Sequence, residues 1–139
     1  MQTAIISGIL AVSFYLAALI LQAVTVFTRR NRNSKVFLFG ALAILFHGFN
    51  VYGVIRANDG YQFGFFEIST LIAFSISSLV MISSVRKPLE NLFLCLFPLA
   101  ILAIVASLLS TSTTPATELS IGLATHILLT IFAYIYITN

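Results

Sequence analysis

The sequence predicts an all-α protein, an integral membrane bundle of five transmembrane helices with its N-terminus outside and its C-terminus in the cytoplasm. Three observations carry that expectation: the scarcity of charge, the length of the apolar runs, and the uneven placement of the basic residues. Of the 139 residues, 60% are hydrophobic and 8% are charged, and the mean hydropathy is +1.07. A soluble domain carries charge on roughly a quarter of its residues. A chain this poor in charge cannot cover its own surface with groups that water accepts, so lipid is its expected solvent. The net charge of +3 does not point to nucleic acid, because the bases cluster in short loops rather than along a polar face.

A helix needs about 20 mostly apolar residues to cross a hydrocarbon core of about 30 Å. The apolar runs at residues 4–27, 36–55, 65–85, 92–109 and 119–137 meet or approach that length. They are continuous rather than alternating, which favours helices over a barrel. The breaks between them, at 28–35, 56–64, 86–91 and 110–118, are too short for a soluble domain, so 1–139 reads as a single transmembrane domain. Ser75, Ser77, Ser78, Ser83 and Ser84 in the third run are expected to pack against neighbouring helices, where small residues let backbones approach.

Orientation follows from the loops. Arg29, Arg30, Arg32 and Lys35 occupy the first, Arg86 and Lys87 the third; the second holds only Arg56 and the fourth holds no base. Cytoplasmic loops collect lysine and arginine, so the first and third face inward. Tyr52 and Tyr61 then fall at the outer interface, with Tyr134 and Tyr136 near the inner one. The first run lacks a basic segment before it and is too long for a cleavable signal, so it is a retained helix. The fifth run ends at Asn139 without a basic anchor. Either the protein stops there or this is the front part of a longer one.

Few groups carry chemistry. The lone Cys95 lies in an apolar run and is expected to be a buried thiol acting as a small hydrophobe. Ionisable residues within spans are costly and are functional candidates; here they are His47, His126 and Glu67. His47 lies about 8 residues, and His126 about 7, from the outer ends of their helices, placing both roughly 10–13 Å below the interface. Gly40, Ala43 and His47 share one helical face, and Gly122, His126, Thr130 and Ala133 another. Two imidazoles at equal depth on facing helices suit one haem iron, with Asn50 and Thr130 one turn away as partners for the remaining ring nitrogens. The alternative is that each histidine makes a neutral hydrogen bond between helices. Glu67 is expected to be a solvated carboxylate at the interface, Arg56 an interface cation and Pro98 the cause of a packing kink. No nucleophile–base pair, phosphate loop or Cys/His metal spacing supports hydrolase or kinase chemistry.

The segment Thr125-His126-Ile127-Leu128-Leu129-Thr130-Ile131-Phe132-Ala133-Tyr134 resembles a helix characteristic of the cytochrome c assembly protein superfamily, and more closely its HemX/YpjD-like inner-membrane branch. His47 in Leu45-Phe46-His47-Gly48, the stretch Glu67-Ile68-Ser69-Thr70 and the stretch Lys87-Pro88-Leu89-Glu90 fall where that branch has comparable features. The resemblance covers this chain and about the first half of such a family member, which typically has eight helices. It implies a bacterial inner-membrane protein that handles haem b, with His47 and His126 as iron ligands and other membrane assembly proteins as partners. The chain has no tryptophan, so the tryptophan-rich haem-presenting loop of the true lyases is absent. The competing class is a cofactor-free membrane scaffold or accessory subunit. A small-solute transporter is disfavoured, because the sequence offers no evident membrane-embedded acid to couple to an ion gradient.

Six of the seven basic residues lie in the first and third loops. A reporter that works only in cytoplasm should therefore be active when fused at the C-terminus. Activity of an external reporter there would mean an even number of spans.

Overall fold

The computed structural model describes residues 2–28, 34–57, 60–87, 89–110, 130 and 133. Among these, four α-helices follow in order: α1 (Gln2–Phe27), α2 (Ser34–Ile55), α3 (Phe65–Arg86) and α4 (Phe93–Leu109). The first three are long and apolar enough to cross a membrane, and α4 is a shorter apolar helix of 17 residues. The predicted boundaries fall within two residues of these, except that the fourth run opens with a 3-10 turn over Glu90–Leu92. The expected fifth helix at 119–137 lies outside the described residues apart from Thr130 and Ala133, both helical and exposed.

The helices form a square in chain order. Contacts run from α1 to α2, α2 to α3, α3 to α4 and α4 back to α1, with little across the α2–α4 diagonal. Neighbours are antiparallel. Gly53 near the end of α2 meets Ala4 at the start of α1, and Gly8 of α1 meets Leu108 near the end of α4. Gly40 early in α2 meets Met81 late in α3, whereas Gly48 meets Phe74. One end of the bundle, the Ala4 end, thus gathers the start of α1, the end of α2, the start of α3 and the end of α4. The Val36 end gathers the others.

Each helix buries one stripe at spacings of three and four. In α1 it is Ala4, Ser7, Gly8, Ala11, Tyr15, Ala18, Gln22 and Thr25; in α3 it is Glu67, Thr70, Ala73, Ser77, Met81 and Ser84. That period keeps one face inward over several turns. The stripes of α1 and α3 are mostly small or polar, while Ile6, Ile9, Ile20, Leu38, Phe49, Ile72, Ile82 and Leu102 point outward. Water would reject an apolar surface this continuous. Lipid accepts it, and small inward residues let the backbones approach.

The interior is divided along its length. Toward the Val36 end it is mainly aromatic, with Phe93 stacked on Phe97 at 4.9 Å and edge-on to Phe37 at 5.8 Å, beside the buried polar Gln22, Thr25 and Ser84. Toward the Ala4 end it is polar. At that end a short hairpin pairs Arg56 with Tyr61 and Ala57 with Gly60, and Gly60 holds a φ of 141°, which side chains rarely tolerate. Arg56 donates to the Tyr52 hydroxyl at 2.6 Å, with its guanidinium over the same ring. Pro98 sits inside α4, where its missing N–H leaves the Leu94 carbonyl without its usual donor. Cys95 is exposed on the bundle surface, correcting the expectation of a buried thiol, because it falls outside the inward stripe of Phe93, Phe97 and Ala100. Of the third-helix serines, Ser77 and Ser84 are buried, whereas Ser75 and Ser78 bond back to the carbonyls of Leu71 and Phe74.

Two glycines separate rigid from yielding contacts. A Cβ on Gly53 would meet the Cα of Ala4 at 3.3 Å, a backbone atom that moves only with its helix; one on Gly40 would meet the flexible tip of Met81. Gly53→Ala should therefore destabilise the bundle by about 1–3 kcal/mol, as overpacking does, and Gly40→Ala by less. Thermal unfolding in detergent checks the order; equal costs would mean that α1 and α2 are not in close backbone contact.

Candidate functional site

At the centre of the bundle, side chains from three helices form one hydrogen-bonded chain. His47 of α2 is 0% exposed. Its Nδ1 lies 3.1 Å from the Tyr15 hydroxyl of α1, and its Nε2 lies 3.0 Å from the Thr70 hydroxyl of α3. The Tyr15 ring also packs against Phe97 of α4 at 5.2 Å. Tyr15 thus meets both α2 and α4. The imidazole is held edge-on between Tyr15 and Phe74, with centroids 5.7 and 5.6 Å away.

The donor arithmetic closes. A neutral imidazole has one N–H and one lone pair, and each hydroxyl both donates and accepts. One hydroxyl therefore receives the ring proton while the other gives its own to the bare nitrogen. The chain Tyr15–His47–Thr70 can be polarised in either direction by exchanging the tautomer. Tyr15 was not singled out by the sequence reading, because a tyrosine within an apolar run looks like core. The signal was its flanking by Ala11 and Ala18 on the buried face, which leaves room for a partner side chain.

One turn toward the Ala4 end lies a second polar layer. Asn50 donates from Nδ2 to the Ala4 carbonyl at 2.8 Å, tying α2 to the first turn of α1. It is not the partner of His47, as the sequence suggested; Tyr15 and Thr70 hold that role. Glu67 is 3% exposed, which corrects the expectation of a solvated carboxylate. It lies on the same buried stripe as Thr70 and Ser77, so its place near the helix start does not bring it to the surface. An acid buried inside the bundle is therefore present, and the argument against ion coupling loses its basis.

Haem ligation asks for an imidazole lone pair aimed at iron with space for a macrocycle beside it. In this structure both His47 nitrogens face hydroxyls and the ring is enclosed by Tyr15, Thr70 and Phe74. As placed, His47 does not fit an axial ligand. His126, the other expected ligand, lies outside the described residues. Among the described residues no group of three or more His, Cys, Asp or Glu side chains is gathered to hold a metal.

No family model, no curated protein and no solved structure matches this chain. The likeness to the cytochrome c assembly superfamily rests on the residues quoted for it.

Removing either hydroxyl orphans a buried ring nitrogen. Tyr15→Phe and Thr70→Val should each cost about 1–3 kcal/mol. Because both act on one ring, the double variant should depart from additivity by at least about 0.5 kcal/mol. Strict additivity in the thermal unfolding of the four proteins would show that the two bonds are not linked through His47.

Proposed function

We propose that this chain is a membrane scaffold or accessory subunit that binds no haem, a helical unit whose register is set by the Tyr15–His47–Thr70 chain. The observation that carries this reading is that both nitrogens of the embedded histidine are bonded to neighbouring helices. An imidazole used in this way is a cross-brace between three helices.

The finer membrane arrangement belongs to the same proposal. The basic loops favour five spans with the N-terminus outside and the C-terminus cytoplasmic, and the family likeness favours a bacterial inner membrane. The Ala4 end, with Tyr52, Arg56 and Tyr61, is then the outer one. The Val36 end, carrying Lys35, Arg86 and Lys87, is the inner one.

A haem-handling protein of the cytochrome c assembly type is the second reading, and the likeness around His126 favours it. It requires His47 to release Tyr15 or Thr70 and the bundle to open beside the ring. The absorption spectrum of the purified protein, before and after haem is added, separates the two. The scaffold reading expects no low-spin bis-histidine spectrum. Appearance of that spectrum, with its loss in both His47→Ala and His126→Ala, would replace it with the haem reading.

A further inference from the structure

The His47–Thr70 bond joins antiparallel helices, so moving three residues toward the Ala4 end on each brings Asn50 of α2 level with Glu67 of α3. Both displacements are about 4.5 Å along the helix axes. The two residues therefore stand at one level on the buried stripes of adjacent helices. Each carries an acceptor without a partner among the described residues: Asn50 Oδ1 and Glu67 Oε2. Asn50 is 0% and Glu67 3% exposed. The Asn50 amide is fixed by its bond to the Ala4 carbonyl, so Oδ1 is not free to turn toward solvent.

These two buried acceptors, one of them a carboxylate oxygen, lack a donor. Buried polar groups find partners, and a buried charge is paired or coordinated. Glu67 lies in the first turn of α3, where the helix dipole supplies roughly half a unit of positive charge. That offsets part of the carboxylate and leaves Oε2 unmet. Arg56, the cation at this end among the described residues, is exposed and engaged with Tyr52. Lys35, Arg86 and Lys87 belong to the opposite end. A water molecule would supply hydrogens but no net charge.

We propose that Asn50 and Glu67 form a binding site for a single monovalent cation of the sodium or potassium class. Carboxylate and amide oxygens are hard donors suited to such ions. One positive charge neutralises the one carboxylate, whereas a divalent ion would leave a net charge inside the bundle. The site goes beyond the scaffold reading and does not depend on it, since neither Asn50 nor Glu67 bonds to His47.

The test is thermal unfolding of the full chain in detergent, followed by helical circular dichroism, in sodium, potassium or choline chloride at equal ionic strength. Sodium or potassium should raise the melting temperature in a saturating manner, as a ligand that binds only the folded state does. At a concentration 100 times Kd the unfolding constant should fall about 100-fold. Glu67→Gln should abolish the difference between the salts, and Asn50→Ala should reduce it. The readout is the difference within each variant, so a general loss of stability does not obscure it. Should Glu67→Gln not fold, the wild-type series and Glu67→Asp decide, the latter with a weakened response. Identical melting in all three salts would overturn the site, as would a response undiminished in Glu67→Gln or one confined to divalent ions. Melting that follows pH but not the cation would assign the compensating charge to a proton and overturn it equally.

Discussion

An imidazole inside a bilayer has no water to fall back on, so each of its nitrogens must be met by the protein. At His47 this constraint is met by hydroxyls from two different helices, and much of the bundle's geometry follows. Rotating α1 or α3 by a single residue would swing its hydroxyl through about 100° and leave a nitrogen bare. The small residues around the chain serve the same requirement. Ala11 and Ala18 flank Tyr15 in α1, and Ala43 lies one turn from His47 in α2; all are fully enclosed. Larger side chains there would hold the helices too far apart for bonds near 3 Å.

The two halves of the interior are held by different physics. Toward the Val36 end, stacked phenylalanines and Met81 fill space by dispersion, which tolerates sliding. Toward the Ala4 end, hydrogen bonds from Asn50, His47 and Tyr15 act only at defined distances and angles. The directional bonds between helices from Tyr15, His47 and Asn50 fix the register from the centre of the bundle toward the Ala4 end. The apolar exterior contributes little to this choice, since lipid tails offer no more to one helix face than to another.

The helices themselves were legible in the sequence, because the bilayer imposes a length that composition alone reveals. What escaped was the direction each residue faces. Hydropathy reports depth, and Glu67 near the start of its run therefore read as interfacial. Its true position was encoded in the spacing of Glu67, Thr70, Ser77 and Ser84, which places these four polar side chains on one face of α3. Tyr15 was hidden for the converse reason, since an aromatic residue among leucines and isoleucines carries no polar signal until its hydroxyl finds a partner. His47 was identified correctly as an embedded ionisable group with small neighbours on its face. Which helices supplied its partners depended on contacts between residues 23 and 32 positions away in the chain, and single-helix periodicity contains no such information. The hairpin and the 3-10 turn are too short to leave a pattern against the loops around them.

The unequal helices bear on the bilayer itself. With 26 residues, α1 is about 39 Å long, while its neighbour α4, with 17, reaches only about 25 Å. A hydrocarbon core of about 30 Å cannot match both without adjustment. The long helix responds by tilting, and the lipid beside the short one must thin. The protein therefore presents a perimeter of uneven hydrophobic height, tall along α1 and low along α4. A depression of this kind concentrates elastic strain on one flank of the bundle. That strain favours shorter acyl chains beside α4.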